Sequence, residues 1–440
     1  ASVNEFEGKN ILFVKGSVEI LINMCSFINN NADKTIIEKQ VDDLSSEGFR
    51  VLGLAYRELD TVPSVLENAL TDLTFIGMVG MIDPLRSDVI SAVAACKVAK
   101  INVAMITGDH PNTALVLAQR SGIATRGMQA VTGNQLGLAY AQGQEAFSQF
   151  VHSTNVFARI SPHQKKQIVE QLMLDGDFVA VTGDGVNDAP ALNQAHVGIA
   201  MGLRGTDVAR ESADIILTDD RFTSIVEGIT QGRIVYNNIR KVIFLLISTG
   251  AAEILLVMLS LIFGTPLPLF PLQLLWLNLV TNGIQDVALA FEPAEGNELK
   301  QAARAPDEPI FNRLMVERIV VNAIVMGSLA FAVFNWQIDT GVDEKEARNM
   351  TLLLMVLFEN VHVLNSRSEK LSIFKQYFFG NKFLLFGMLA AQGIHIGAMY
   401  TPGIRELLEL SPVSLMQWSS LLGIAIFLIV VDELHKYFHH

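Results

Sequence analysis

The sequence predicts a two-part fold: an α/β domain built on a parallel sheet, followed by an all-α bundle of six transmembrane helices. Two observations carry this. Half of the 440 residues are hydrophobic, yet their layout is uneven: roughly the first 235 are of mixed polarity and the rest contains long apolar runs. Within the first part, short β-rich runs alternate with helical stretches, the pattern of parallel strands joined by crossover helices. The 45 Asp+Glu against 32 Lys+Arg leave a net charge of −13 and no basic stripe to neutralise phosphates, which argues against a nucleic-acid partner. Cys25 and Cys96 are the only cysteines, so a disulfide framework and a four-cysteine zinc site are both excluded.

Strands are expected near 74–81, 102–106, 178–181, 197–201 and 215–217. In such sheets ligands gather at the carboxyl ends of the strands. Here those ends carry small, turn-forming and acidic residues: Asp83-Pro84, then Thr107-Gly108-Asp109, then Thr182-Gly183-Asp184-Gly185-Val186-Asn187-Asp188. Phosphoryl transfer asks for positioning and cancellation of charge. Asp184 and Asp188 can hold Mg²⁺, Thr107 and Gly108 can offer hydroxyl and N–H groups to a phosphoryl oxygen, and Lys165 can supply a cation. Each piece alone is a common turn or surface group; the ordered set is specific.

The apolar runs lie at 242–263, 269–291, 319–338, 350–364, 383–400 and 415–431, the fourth being short for a bilayer that needs about 20 helical residues. Basic residues cluster before the first, between the second and third (Lys300, Arg304, Arg313, Arg318) and between the fourth and fifth (Arg367, Lys370, Lys375, Lys382). That bias places residues 1–235 and the C-terminus on the cytoplasmic side. Several polar residues fall inside the runs: Glu253; Asn278, Thr281, Asn282, Gln285 and Asp286; Glu359 and Asn360. An ionisable group there is costly unless paired or hydrated. Helical spacing puts Asn278, Asn282 and Asp286 on one face with Thr281 and Gln285 beside them, and Gly283 can loosen the helix and free carbonyls. Oxygen ligands of this kind suit a hard cation, with interhelical hydrogen bonding as the alternative.

Taken together, T-G-D-G-V-N-D-A-P-A-L, the preceding F-A-R-x-S-P and M-I-T-G-D, and the following W-L-N-L-V-T-N-G resemble the type II P-type cation-transporting ATPases, and within them the bacterial and archaeal relatives of calcium pumps. The resemblance covers essentially the whole chain and implies a haloacid-dehalogenase-like phosphorylation domain with a nucleotide-binding domain inserted in it. It implies ATP and Mg²⁺ as cofactors, an aspartyl phosphate, and cation transport across a bacterial or archaeal plasma membrane. By motif, Lys15 and Gly16 would line the adenine pocket, Arg50 would contact ATP phosphates, and Asp83, Arg86, Thr107 to Asp109 and Arg159 would surround nucleotide and phosphate. Lys165 would hold the transferred group and Asp184 the Mg²⁺, with Asn187 and Asp188 completing the hinge. Glu253, Asn278, Thr281, Asn282 and Glu359 fall on ion-ligand positions; Asp286 joins them from its spacing.

The sequence also departs from that family. The D-K-T-G-T nucleophile is absent. Asp33-Lys34-Thr35 follows a polar run and reads as a surface helix start, and Asp175-Gly176-Asp177 reads as a turn. The actuator domain and four further spans are missing, so the chain is expected to be the C-terminal half of a pump: residues 1–70 as part of the nucleotide domain, 71–235 as the phosphorylation domain without its nucleophile strand, and 236–440 as the last six helices. Its expected partners are the N-terminal half, the lipid bilayer and the transported cation. Gly250 and Asn282 replace an Asn and an Asp of calcium pumps, so Ca²⁺ is the first choice while Na⁺, K⁺, H⁺ and Mn²⁺ stay open. The alternative is a non-catalytic fragment that binds nucleotide, Mg²⁺ or cation without turnover.

Overall fold

A computed structural model describes residues 1–28, 33–63, 65–82, 85–305 and 308–439. The chain divides into two compact units, Ala1–Gly228 with Leu299–Pro306, and Ile229–Glu298 with Asp307–His440. The division falls inside one 42-residue helix, Phe222–Phe263.

The first unit opens with a five-stranded sheet of β1 (Ser2–Phe6), β2 (Lys9–Gly16), β3 (Cys25–Ile28), β4 (Arg50–Leu59) and β5 (Leu73–Met81), in the order β1-β2-β4-β5-β3. All pairs are antiparallel except β3 with β5. Leu12, Ala55, Leu73 and Phe75 point to the covered face, where they meet Val18, Leu21, Ile37 and Val41. Gly53 lets this happen: a Cβ there would sit 3.1 Å from both Leu21 and Phe75. Asp33 caps the Lys34–Ser46 helix by accepting the Thr35 N–H, as the polar run before it implied. The strand expected at 74–81 forms, but it lies in this mixed sheet, antiparallel to β4 and parallel to β3, and not in the parallel sheets that follow. Alternating exposure along a strand fixes which face is buried and leaves the partner open.

Two parallel sheets of three strands follow. One is β6 (Met105–Ile106), β8 (Val156–Ala158) and β7 (Val131–Thr132), in the order β6-β8-β7; the other is β11 (Ile215–Leu217), β10 (Val197–Met201) and β9 (Ala180–Gly183). Their helices start with clear signals. Ser161 and Gln164 form a capping box at Pro162–Leu174, and His110 caps Pro111–Arg120. Asp175-Gly176-Asp177 is a helix-ending turn, with Gly176 at φ +92° and the Asp177 N–H returning to Leu172 O.

The second unit is helical. Among the described residues four helices are long and apolar enough to cross a membrane: Phe222–Phe263, Arg313–Asp339, Lys382–Tyr400 and Leu415–Phe438. The chain is a multi-pass membrane protein. Two other runs complete the unit. Pro271–Trp276 and Gly283–Ala290 are joined by a π-helical segment, Leu277–Asn282. Glu344–Ser366 carries more polar residues, yet Leu352 to Phe358 are at most 2% exposed, so its neighbours and not lipid surround it. Arg318 was expected in a loop; it lies inside the Arg313–Asp339 helix, buried, with its guanidinium on both oxygens of Asp432 (3.0 and 2.9 Å). Lys436 reaches the same carboxylate at 3.1 Å.

Candidate functional site

Two groups of polar residues stand out, one in each unit. In the first unit β9 ends at Gly183 and the chain turns through Asp184 into the short turn Val186–Asp188. Asp188 folds back: its Oδ2 accepts the N–H groups of Asp184 and Gly185, both at 3.2 Å. Only glycine fits at 183, because a Cβ there would lie 2.5 Å from the Asp188 Cβ. The other oxygen of Asp188 takes Lys165 Nζ at 2.5 Å. Lys165 sits one turn into the helix that Ser161 caps, so the capping box aims it. The Asp184 carboxylate is exposed and makes no hydrogen bond or ion pair among the described residues, which leaves its oxygens free for a cation. Asn187 is exposed beside it.

The T-G-D turn after β6 forms a second cluster. Thr107 Oγ1 accepts the Asp109 N–H and contacts Asp109 Oδ2, both at 3.1 Å. The Thr107 carbonyl accepts the Ile160 N–H (3.1 Å), and the Asp109 carbonyl accepts that of Arg159 (3.1 Å). The junction from β8 into the Lys165 helix is thereby stitched to the T-G-D turn, with Arg159 at φ +52° making the bend. Nothing lies within 4 Å of where a Cβ of Gly108 would be, so this turn is open on that side.

Arg159 extends to Glu19 Oε1 at 2.6 Å, and His110 Nε2 lies 3.5 Å from the same oxygen. Arg50 Nε lies 3.6 Å from Asp109 Oδ1. These side chains, with Ser17 and Gly108, line a cavity of about 320 Å³. Burial opposes ionisation of Glu19, but the Ser17 hydroxyl and the Arg159 guanidinium outweigh it and hold its carboxyl below the ordinary value. Burial pushes the His110 imidazole down, against the pull of Glu19. Glu19 and His110 were not singled out from the sequence, although Glu19 ends the F-V-K-G-S-V-E motif.

Not every expected residue joins these clusters. Lys15 and Gly16 lie on β2, paired with Leu54 and Gly53, outside the cavity lining. Arg86 donates to the Asp220 carbonyl at 2.6 Å, while the Asp220 carboxylate accepts the N–H groups of Leu203 and Arg204. Arg86 thus braces the loop after β10. Asp83 lies outside the described residues.

In the second unit the polar residues gather around the π-helical segment. A π turn shifts the register of the side chains beyond it, and such segments occur often at functional sites. Asn278 Nδ2 donates to both oxygens of Glu253 (3.3 and 3.0 Å), Thr281 Oγ1 touches Glu359 Oε2, and Asn282 Nδ2 donates to Thr249 Oγ1 (3.2 Å). Gln285 Nε2 donates to Asn360 Oδ1 at 2.8 Å. Four buried oxygens here have no donor among the described residues: Asn282 Oδ1, Gln285 Oε1, Asp286 Oδ1 and Glu359 Oε1. A buried acceptor without a partner is unfavourable, and an oxygen-coordinated cation is one way to satisfy several at once.

Comparison with known proteins agrees with these features. The profile described as "P-type ATPase, cytoplasmic domain N" matches residues 1–88, and "Cation transporting ATPase, C-terminus" matches 266–438. The chain is 38% identical over 435 residues to the cation-transporting ATPase pma1 of Synechocystis sp., covering 95% of this chain and 48% of that protein. It is 34% identical to calcium-transporting ATPase 1 of Bacillus cereus (99% and 51% covered) and 33% identical to the calcium-transporting ATPase of Bacillus subtilis (96% and 48%). The chain spans about half the length of the curated relatives it matches. It belongs to the P-type cation-transporting ATPases.

Proposed function

We propose that the chain is the C-terminal portion of an ATP-driven cation pump that works through an aspartyl phosphate, with the phosphorylated Asp carried by an N-terminal half. The single observation that carries the transport reading is the set of four donorless oxygens buried around the π-helical segment. With Glu253, Asn278 and Thr281 they would supply an all-oxygen ligand set, and Ca²⁺ is the cation that such a set and the named relatives favour.

In the first unit Lys165 supplies a fixed positive charge whose position Asp188 and the Ser161 cap determine. The turn closed by Thr107 and Asp109 presents Gly108 to the open side, where its N–H can meet a phosphoryl oxygen. Arg50 and Arg159 balance the charge of ATP phosphates in the neighbouring cavity, whose volume suits a small-molecule site. Asp184 would hold Mg²⁺, which when bound offsets charge developing on the transferred group. The two parallel sheets, with Thr-Gly-Asp turns at their carboxyl ends, support a haloacid-dehalogenase-like fold whose nucleophile strand comes from the other half. The buried Glu344–Ser366 helix and the run from Pro271 to Ala290 support six spans in all, with residues 1–235 and the C-terminus cytoplasmic and the chain in a bacterial or archaeal plasma membrane. The unbroken helix Phe222–Phe263 is the element through which motion would pass toward Glu253.

The test is assembly. Co-expressed with an N-terminal half that carries D-K-T-G-T, the complex should form an acid-stable, hydroxylamine-labile ³²P adduct from labelled ATP. An assembled complex that stays unlabelled contradicts the reading.

A further inference from the structure

The second unit holds a cluster that the pump chemistry does not use. Glu317, in the first turns of the Arg313–Asp339 helix, faces His435 and His439 at the end of Leu415–Phe438. One ligand atom from each of the three lies within 4.8 Å of the others, the only such His, Cys, Asp or Glu group among the described residues.

The local chemistry favours a metal. His435 and His439 are one helical turn apart with their rings stacked (centroids 4.2 Å, 13° between planes), so both imidazoles are on one face. Their Nδ1 atoms differ: that of His439 contacts the His435 carbonyl at 2.9 Å, while that of His435 is buried without a partner among the described residues. His439 Nε2 lies 3.3 Å from Glu317 Oε2, and the other carboxylate oxygen takes Arg313 Nε at 2.7 Å. That bond orients Glu317 as a second-sphere donor orients a metal-bound carboxylate. The nearby cations Arg318 and Lys436 are both committed to Asp432. Two imidazoles and one carboxylate match the preference of Zn²⁺ and similar borderline divalent ions. Ca²⁺ and Mg²⁺ prefer oxygen alone.

We propose that Glu317, His435 and His439 bind one borderline divalent ion of the Zn²⁺, Co²⁺ or Ni²⁺ class, which ties the start of the Arg313–Asp339 helix to the end of Leu415–Phe438. The site is independent of the transport reading, since it shares no residue with the π-helical cluster.

The 440-residue chain, purified in detergent with an affinity tag free of histidine, is titrated with Zn²⁺ against a chromogenic chelator and with Co²⁺ by visible absorption. The expected result is one equivalent bound, a Co²⁺ spectrum of low coordination number, and no displacement by Ca²⁺ at equal concentration. Glu317→Gln and His435→Gln should each weaken binding at least about tenfold. Binding of wild-type strength in both variants, or displacement of Zn²⁺ by equimolar Ca²⁺, would overturn the proposal.

Discussion

Lys165 Nζ lies 2.5 Å from Asp188 Oδ1, while the second oxygen of that carboxylate holds the N–H groups of Asp184 and Gly185. One side chain therefore positions both the cation and the backbone that presents the Asp184 carboxylate.

Replacing Lys165 with Ala should cut phosphoryl transfer in the assembled pump by about 10²–10³-fold, the usual cost of removing one preorganised charge from such a site. Phosphoenzyme formation measured by rapid quench reads this directly. Gly183→Ala should act by a different route. Its Cβ collides with Asp188, so a loss of about 1–3 kcal/mol in stability is expected on calorimetric unfolding, as for an overpacked core.

The buried clamp of Arg318, Lys436 and Asp432 makes a structural prediction. All three side chains are at most 4% exposed. Asp432→Ala leaves two cations buried without their shared partner and should cost about 3–5 kcal/mol, read as a lower denaturant midpoint in detergent. Replacing Arg318, Asp432 and Lys436 together by apolar residues of similar size should recover much of that loss.

Glu19 gives a pH dependence. Its carboxyl is held below the ordinary value of 4.5, so the folded state binds its proton less readily than the unfolded chain. The contribution to stability is present in full above pH 4.5 and fades as pH falls through the lowered folded value. With His110 replaced by Gln, so that its own titration does not enter, the stability gap between Glu19 and its Glu19→Gln variant should be constant from neutral pH down to about 5 and should narrow below that. A gap that widened on acidification would contradict this ion pairing.

The parallel sheets predict how the first unit behaves alone. β6 pairs only with β8 and β9 only with β10, so their outer backbone groups have no strand partner among the described residues. Open edges template aggregation. A fragment ending at Gly228 should therefore aggregate or unfold without a sharp thermal transition, and a single cooperative transition in calorimetry would count against the reading.

What could be read from the sequence was what is local. Thr107-Gly108-Asp109 and the run from Thr182 to Asp188 carry their chemistry within a few residues, so their turns were accessible, whereas the contact of Lys165 with Asp188, 23 residues away, was not. The Asp33 helix start and the Asp175 turn were accessible for the same reason. Features that depend on distant partners were hidden. β5 reads as a β-rich run like the strands after it, and nothing in it announces an antiparallel neighbour. Arg86 sits in a phosphate-like motif but finds the Asp220 carbonyl 134 residues away. The spacing of Asn278, Asn282 and Asp286 assumed 3.6 residues per turn, whereas the chain is π-helical from Leu277 to Asn282. Arg318 read as a charge outside the bilayer because its partner, Asp432, lies at the far end of the sequence.

The most direct test of the transport claim is ⁴⁵Ca²⁺ uptake into vesicles by the assembled pump, comparing wild type with Glu359→Gln. Glu359 is fully buried and has one oxygen without a donor among the described residues, so neutralising it should abolish uptake at micromolar Ca²⁺ while Mg·ATP binding is kept. Uptake of wild-type rate and affinity in the variant would show that the oxygens around the π-helical segment are structural and do not carry the ion.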